Sequence, residues 1–185
     1  MRTTILALGL GLGATVTLAQ APAAPPKAAP ELDQLTFFAG QWQCVGQAPA
    51  SELGPARPTR TNMTITRDLG GFAYGFRLAE EKTKDNPNPT QGMGFFAFDG
   101  AEKKLVAHST DNFGTYVQAS KGWEGDKMVV EGPGTAAGQK VQARDTFVKA
   151  GAAAFTHTYD LNLSGKWLTV VDEKCQKATA AGVKK

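Results

Sequence analysis

The run "AFTHTYDLNL" (154–163) sets a histidine among alternating residue types. Phe155, His157, Tyr159, Leu161 and Leu163 interleave with Thr156, Thr158, Asp160 and Asn162. On a strand, period two puts each set on its own face, so His157 and Tyr159 are polar groups on an otherwise apolar face. Two carboxylates come within reach of that histidine. If the hairpin after "RDTFVKAGAAAF" (144–155) pairs Phe147 with Phe155, Asp145 falls opposite His157. If "LSGKW" (163–167) closes as a three-residue loop with Gly165 left-handed, Glu173 falls opposite His157 from the other side. That register also turns Trp167, Cys175 and Lys177 inward. A two-residue Ser-Gly turn would instead offer Asp172 and point Cys175 outward. The three-residue loop is the expectation, because it agrees with an inward Trp42 and Cys44.

A carboxylate beside a histidine favours the imidazolium and orients the ring. Such a pair can satisfy a buried polar group, contact a bound molecule, or act in general acid–base chemistry. In "FAYGFRLA" (72–79), Phe72, Tyr74, Phe76 and Leu78 form a second apolar face. The candidate ligand contacts are therefore Tyr74, Phe76, Asp145, His157, Tyr159 and Glu173, and no residue is assigned as catalytic. Arg77 and Arg144 fall on outward faces, which argues against an arginine clamp for a carboxylate. The sequence lacks a Gly-x-Ser-x-Gly elbow. Its two histidines, His108 and His157, have no metal-ligand spacing, so neither a metal nor a cofactor is expected. The glycines of "LGGFAYG" and "GMGFF" suit strand kinks better than phosphate loops.

The elements that must position these groups are mostly strands. "ELDQLTFFAG" (31–40) has Leu32, Leu35 and Phe38 at helical spacing and predicts one short helix. Ten β-type segments follow: 41–47, 61–68, 72–79, 92–98, 104–110, 113–120, 127–133, 140–148, 154–163 and 166–177. Turn residues separate them, and longer polar loops lie at 48–60 and 80–91. No second helix is long enough for a crossover, so the strands must be antiparallel, in a closed up-and-down barrel or a sandwich. The two cysteines favour the barrel. Its first and last strands are neighbours, and Cys44 and Cys175 lie on those strands. In an oxidising compartment that placement invites a disulfide, the alternative being two separate buried thiols. In the same register Trp42 faces Lys177.

The ends are of different character. "MRT" followed by "TILALGLGLGATVTLA" has the layout of a secretory signal peptide, with cleavage expected after Ala19. The run is short for a membrane anchor. The expected organisation is a signal peptide at 1–19, a Pro/Ala-rich tether at 20–30, one domain at 31–177 and a tail at 178–185. The net charge of +3 is scattered, so nucleic acid is not an expected partner. Nor is stable membrane insertion. The chain is expected to be a monomer or weak dimer, periplasmic or secreted.

A helix followed by Gly40-Gln41-Trp42 at the head of the first strand resembles the lipocalin and fatty-acid-binding superfamily, the calycins. The resemblance implies that Trp42 plugs the closed end of the barrel and that a basic residue of the last strand, Lys177 or its neighbour Lys174, packs across it. The run "KMVVEG…ARDTFV…FTHTYDL…SGKWLTVVDEKCQK" is similar to bacterial lipocalin-like domains of unknown function, and the similarity covers most of 31–177. A haem-binding branch, the nitrobindins, uses a histidine near the chain end. The last strand here has none, so no haem ligand is carried over. The fold expected is an all-β, ten-stranded antiparallel up-and-down barrel of lipocalin/fatty-acid-binding type with one short N-terminal helix. The function expected is binding of a small, largely apolar molecule inside it. The alternatives are a solid-core envelope interaction or stress-protective protein, and an enzyme acting on a small lipid-like substrate through His157.

Overall fold

The computed structural model describes residues 26–178. The expected signal peptide, half of the tether and nearly all of the tail lie outside them. The described chain opens on a 3₁₀ helix, Pro30–Phe38, rather than an α-helix. The spacing explains the choice. Leu32, Leu35 and Phe38 recur every three residues, the repeat of a 3₁₀ turn, and all three are buried on one face. This helix lies across one end of the barrel.

Eleven strands follow: β1 (Gly40–Ala48), β2 (Arg57–Asp68), β3 (Ala73–Glu80), β4 (Gln91–Asp99), β5 (Lys104–Asp111), β6 (Gly114–Ser120), β7 (Trp123–Glu124), β8 (Lys127–Ala136), β9 (Gln139–Lys149), β10 (Ala154–Leu163) and β11 (Lys166–Lys177). The sheet order runs from β6 back through β5, β4, β3 and β2 to β1, then on through β11, β10, β9 and β8 to β7. Pairing of β6 with β8 closes the ring. Ten strands thus form a closed antiparallel barrel, and β7 is a two-residue addition that pairs only with β8. Phe72, expected on the inward face of β3, precedes that strand and is exposed.

At the β1–β11 seam Cys44 pairs with Cys175 and Trp42 with Lys177. The two cysteines form a disulfide across 131 positions of sequence. Two other registers depart from expectation. Between β9 and β10, His157 pairs with Phe147, and Asp145 pairs with Tyr159. The slip is two residues, so every side chain keeps its face. Between β10 and β11 the turn is the two-residue one: Ser164 and Gly165 both have positive φ, and Leu163 pairs with Lys166. That turn alone would have set Asp172 opposite His157. A bulge intervenes, for Asp160 pairs with Thr169 while Tyr159 pairs with Val171. Val170 is the extra residue, and the bulge restores the pairing of His157 with Glu173. Trp167 precedes the bulge and shares a face with Asn162 and Arg144. It therefore points outward, against expectation, and the Arg144 guanidinium lies 4.2 Å from its ring centroid.

Two apolar clusters lie inside the barrel. The larger, at the helix end, joins Leu32, Leu35, Phe38, Trp42, Tyr74, Phe147 and Phe155 to the disulfide. Trp123 closes it from outside, stacking on Phe38 at 5.3 Å and donating its indole N–H to the Gln34 carbonyl at 3.0 Å. The smaller comprises Tyr116, Val141, Ala143 and Leu161. At the helix end, Trp42 donates its indole N–H to the Phe38 carbonyl at 2.7 Å, and Lys177 Nζ lies 5.4 Å from the Trp42 ring centroid. Gly40, at φ +127°, permits this: a Cβ there would meet Lys177 Cε at 2.7 Å.

The seam disulfide closes nearly the whole barrel into one covalent loop, which restricts the unfolded chain. Replacing both cysteines (Cys44→Ser with Cys175→Ser) is expected to lower unfolding free energy by about 2–5 kcal/mol in urea denaturation. Equal stability of the oxidised protein and the double variant would contradict it.

Candidate functional site

The inner wall between the two clusters holds a polar network built by β6, β9, β10 and β11. His157 is central. Its Nδ1–H donates to Glu173 Oε1 at 3.0 Å and its Nε2–H to Asp145 Oδ1 at 2.9 Å. The Phe147 ring stacks on the imidazole at 4.8 Å and 10°. Gln118 of β6 completes the line, donating from Nε2 to Asp145 Oδ2 at 2.8 Å. Glu173 reaches the imidazole because β11 presses against Gly46 of β1. A Cβ on Gly46 would lie 2.0 Å from the Asp172 carbonyl oxygen and 2.5 Å from Glu173 Cα.

Burial opposes a charge on His157. The hydrogen bonds to Asp145 and Glu173, and the charges of those carboxylates, outweigh it and raise the pKa from 6.5 to about 9. At neutral pH the ring is an imidazolium held between two carboxylates. Both nitrogens are engaged, so neither is free to take a proton from a substrate or to ligate a metal. Burial, reinforced by Tyr116 and the nearby carboxylates, pushes the Tyr159 phenol far above its usual range. Burial also raises Tyr116 and Asp111, the latter against hydrogen bonds from the Phe113 and Gly114 amides.

Two polar atoms of this wall are buried without a hydrogen-bond partner: Glu173 Oε2 and the Tyr159 hydroxyl. Glu173 is only 3% exposed. Buried polar atoms are rarely left unpaired, least of all on a carboxylate. Of the six expected contacts, Asp145, His157, Tyr159 and Glu173 come together. Phe76 is half-buried and packs against the larger cluster. Tyr74 is committed to the helix end, where its hydroxyl hydrogen-bonds to Thr36 Oγ1 at 3.1 Å. Sequence reasoning missed Gln118. The alternation of "GTYVQAS" puts it on the Tyr116 face, but nothing in that pattern names its partner. Cys44, Cys175 and Glu173 also gather ligand-type atoms within 4.8 Å, but both sulfurs are spent in the disulfide.

The class that these features define is a closed ten-stranded antiparallel β-barrel with one short extra strand and a charged network on its inner wall. No family model matches the sequence, and no curated protein matches it. Among solved structures the chain is similar to Rv2717c from M. tuberculosis, with a TM-score of 0.63 and 10% identity, over 83% of this chain and all of that one. At that identity the likeness establishes the fold alone.

The folded pKa of His157 lies above its unfolded value. Its stabilisation is therefore complete below about pH 6.5 and is lost as pH rises through about 9. That rise corresponds to on the order of 3 kcal/mol. Urea denaturation across this range is expected to show the wild type weakening toward high pH, and His157→Gln losing most of that slope. A variant slope equal to the wild type's would refute the assignment.

Proposed function

We propose that this chain is a periplasmic or secreted, lipocalin-like (calycin) carrier that takes a small, largely apolar molecule into the barrel. The observation that carries this reading is the unpartnered Glu173 Oε2, buried on the inner wall of the barrel. A carboxylate oxygen accepts only, so the polar end of the ligand is a hydrogen-bond donor: an amine, an amide N–H or a hydroxyl. Phe76 and Leu78, half-buried on the inner face of β3, offer apolar contact for the rest of the molecule. The Cys44–Cys175 disulfide supports an oxidising compartment, in keeping with the signal-type leader. The engagement of both His157 nitrogens favours binding over acid–base catalysis.

A solid-core envelope protein without a ligand is the second reading. It is favoured by the aromatic packing at the helix end and by two grooves, of about 300 and 330 Å³, that are lined by outward-facing parts of the strands.

Mass spectrometry of organic extracts from the purified protein, with titration of dodecylamine and laurate followed by tryptophan fluorescence, separates the two. The carrier reading expects dodecylamine to bind, and Glu173→Gln to weaken it about ten-fold or more, the scale of a hydrogen bond to a charged group. An empty extract and no response to either amphiphile would leave the solid-core reading.

A further inference from the structure

The outward face of β2 to β6 differs from that of β8, β9 and β11. The strand registers arrange it in rows across five strands. One row is Thr66, Gly75, Phe95, His108 and Val117, and the next is Thr64, Arg77, Met93, Thr110 and Thr115. A third is Asp68, Ala73, Ala97, Val106 and Ala119. Met93, Phe95 and Val117 are 45%, 43% and 51% exposed, and Leu69 at the edge is 70% exposed. The Phe95 ring stacks on His108 at 5.2 Å, which leaves a flat aromatic surface. Only two side chains in these rows carry a formal charge, Asp68 and Arg77. The outward faces of β8, β9 and β11, by contrast, carry Lys127, Glu131, Lys140, Asp172 and Lys174. Apolar aromatic and Met side chains with few charges are the composition of an interface core.

A groove of about 300 Å³ runs over Gly75, with Phe95 and Met93 on one side and Thr66 on the other. Asp68 and Arg77 border it at opposite ends. Asp68 Oδ2 lies 3.8 Å from where a Gly75 Cβ would stand, and Arg77 projects from the same face two residues further along β3. Among the described residues Arg77 makes no ion pair.

We propose that this face is an isologous interface between two copies of the chain, in which the Phe95 rings of the two copies pack on each other beside the grooves. An isologous contact requires a surface that complements itself under a two-fold rotation. An apolar strip with opposite charges at its two ends does so. A two-fold axis that lies in the interface and runs across the strands exchanges those ends, so Arg77 of each copy comes beside Asp68 of the other. The three rows span about 19 Å across the strands and about 13 Å along them, a few hundred Å² per copy. That lies below the size of stable interfaces and fits only a weak, transient dimer.

Sedimentation velocity of the mature chain, from micromolar to millimolar concentration, is expected to show reversible dimerisation. Phe95→Glu should weaken it by at least about thirty-fold, the scale of an interface hot spot, with circular dichroism unchanged. Charge reversal tests the geometry. R77D alone sets Asp against Asp, and D68R alone sets Arg against Arg, so each should be monomeric. An equimolar mixture of the two should dimerise, because only the heterodimer restores both attractive pairs. Asp68 also accepts the Leu69 amide hydrogen. If D68R does not fold, R77D must weaken the dimer and R77K must not. A wild type that stays monomeric at millimolar concentration overturns the proposal. So does a dimer indifferent to Phe95→Glu, and so does a mixture of folded variants that stays monomeric.

Discussion

The pairing of the first strand with the last is the constraint on which the rest of the molecule depends. Ten strands in sequence order can splay into an open sheet whose edges would invite pairing with other chains. Here β1 and β11 pair along their length and a disulfide fixes their register at one rung. Every inward side chain of β1 and β11 is decided by that rung. Trp42 points in beneath Lys177, and Glu173 points in beside Gly46. The charged network is therefore a consequence of barrel closure as much as of local sequence.

The network combines two demands that ordinarily conflict. Burying a charge is costly, and burying three on one wall more so. The line from Gln118 through Asp145 and His157 to Glu173 offsets that cost by giving nearly every polar atom a partner, and Phe147 shields the ring. What is left over is a single carboxylate oxygen and a phenol, on a wall otherwise made of aromatic and aliphatic groups.

Much of this was legible in the sequence because strands repeat every two residues. The alternation in "AFTHTYDLNL" placed His157 and Tyr159 on one face, and the cysteine spacing supplied the seam. The helix was legible in position; its tighter winding was implicit in the three-residue spacing of Leu32, Leu35 and Phe38. Registers were harder. The β9–β10 hairpin slipped by two residues because loop length is set by backbone conformation, which residues 150–153 do not advertise. The bulge at Val170 was invisible, since no residue type compels it. The two-residue turn set Trp167 outward over Arg144, and the bulge then returned Glu173 to His157. Gln118 lay beyond reach because its partner is on a strand nearly thirty positions away.

The seam disulfide has a further consequence for the covalent integrity of the molecule. The bond joins β1 to β11, so the stretch from Cys44 to Cys175 is a closed ring of chain that contains all of β2 to β10. A protease that nicks one of the long loops, 49–56 or 81–90, opens that ring at one point and releases no fragment. The two pieces stay tied through sulfur, and they separate only when a reductant and a denaturant act together.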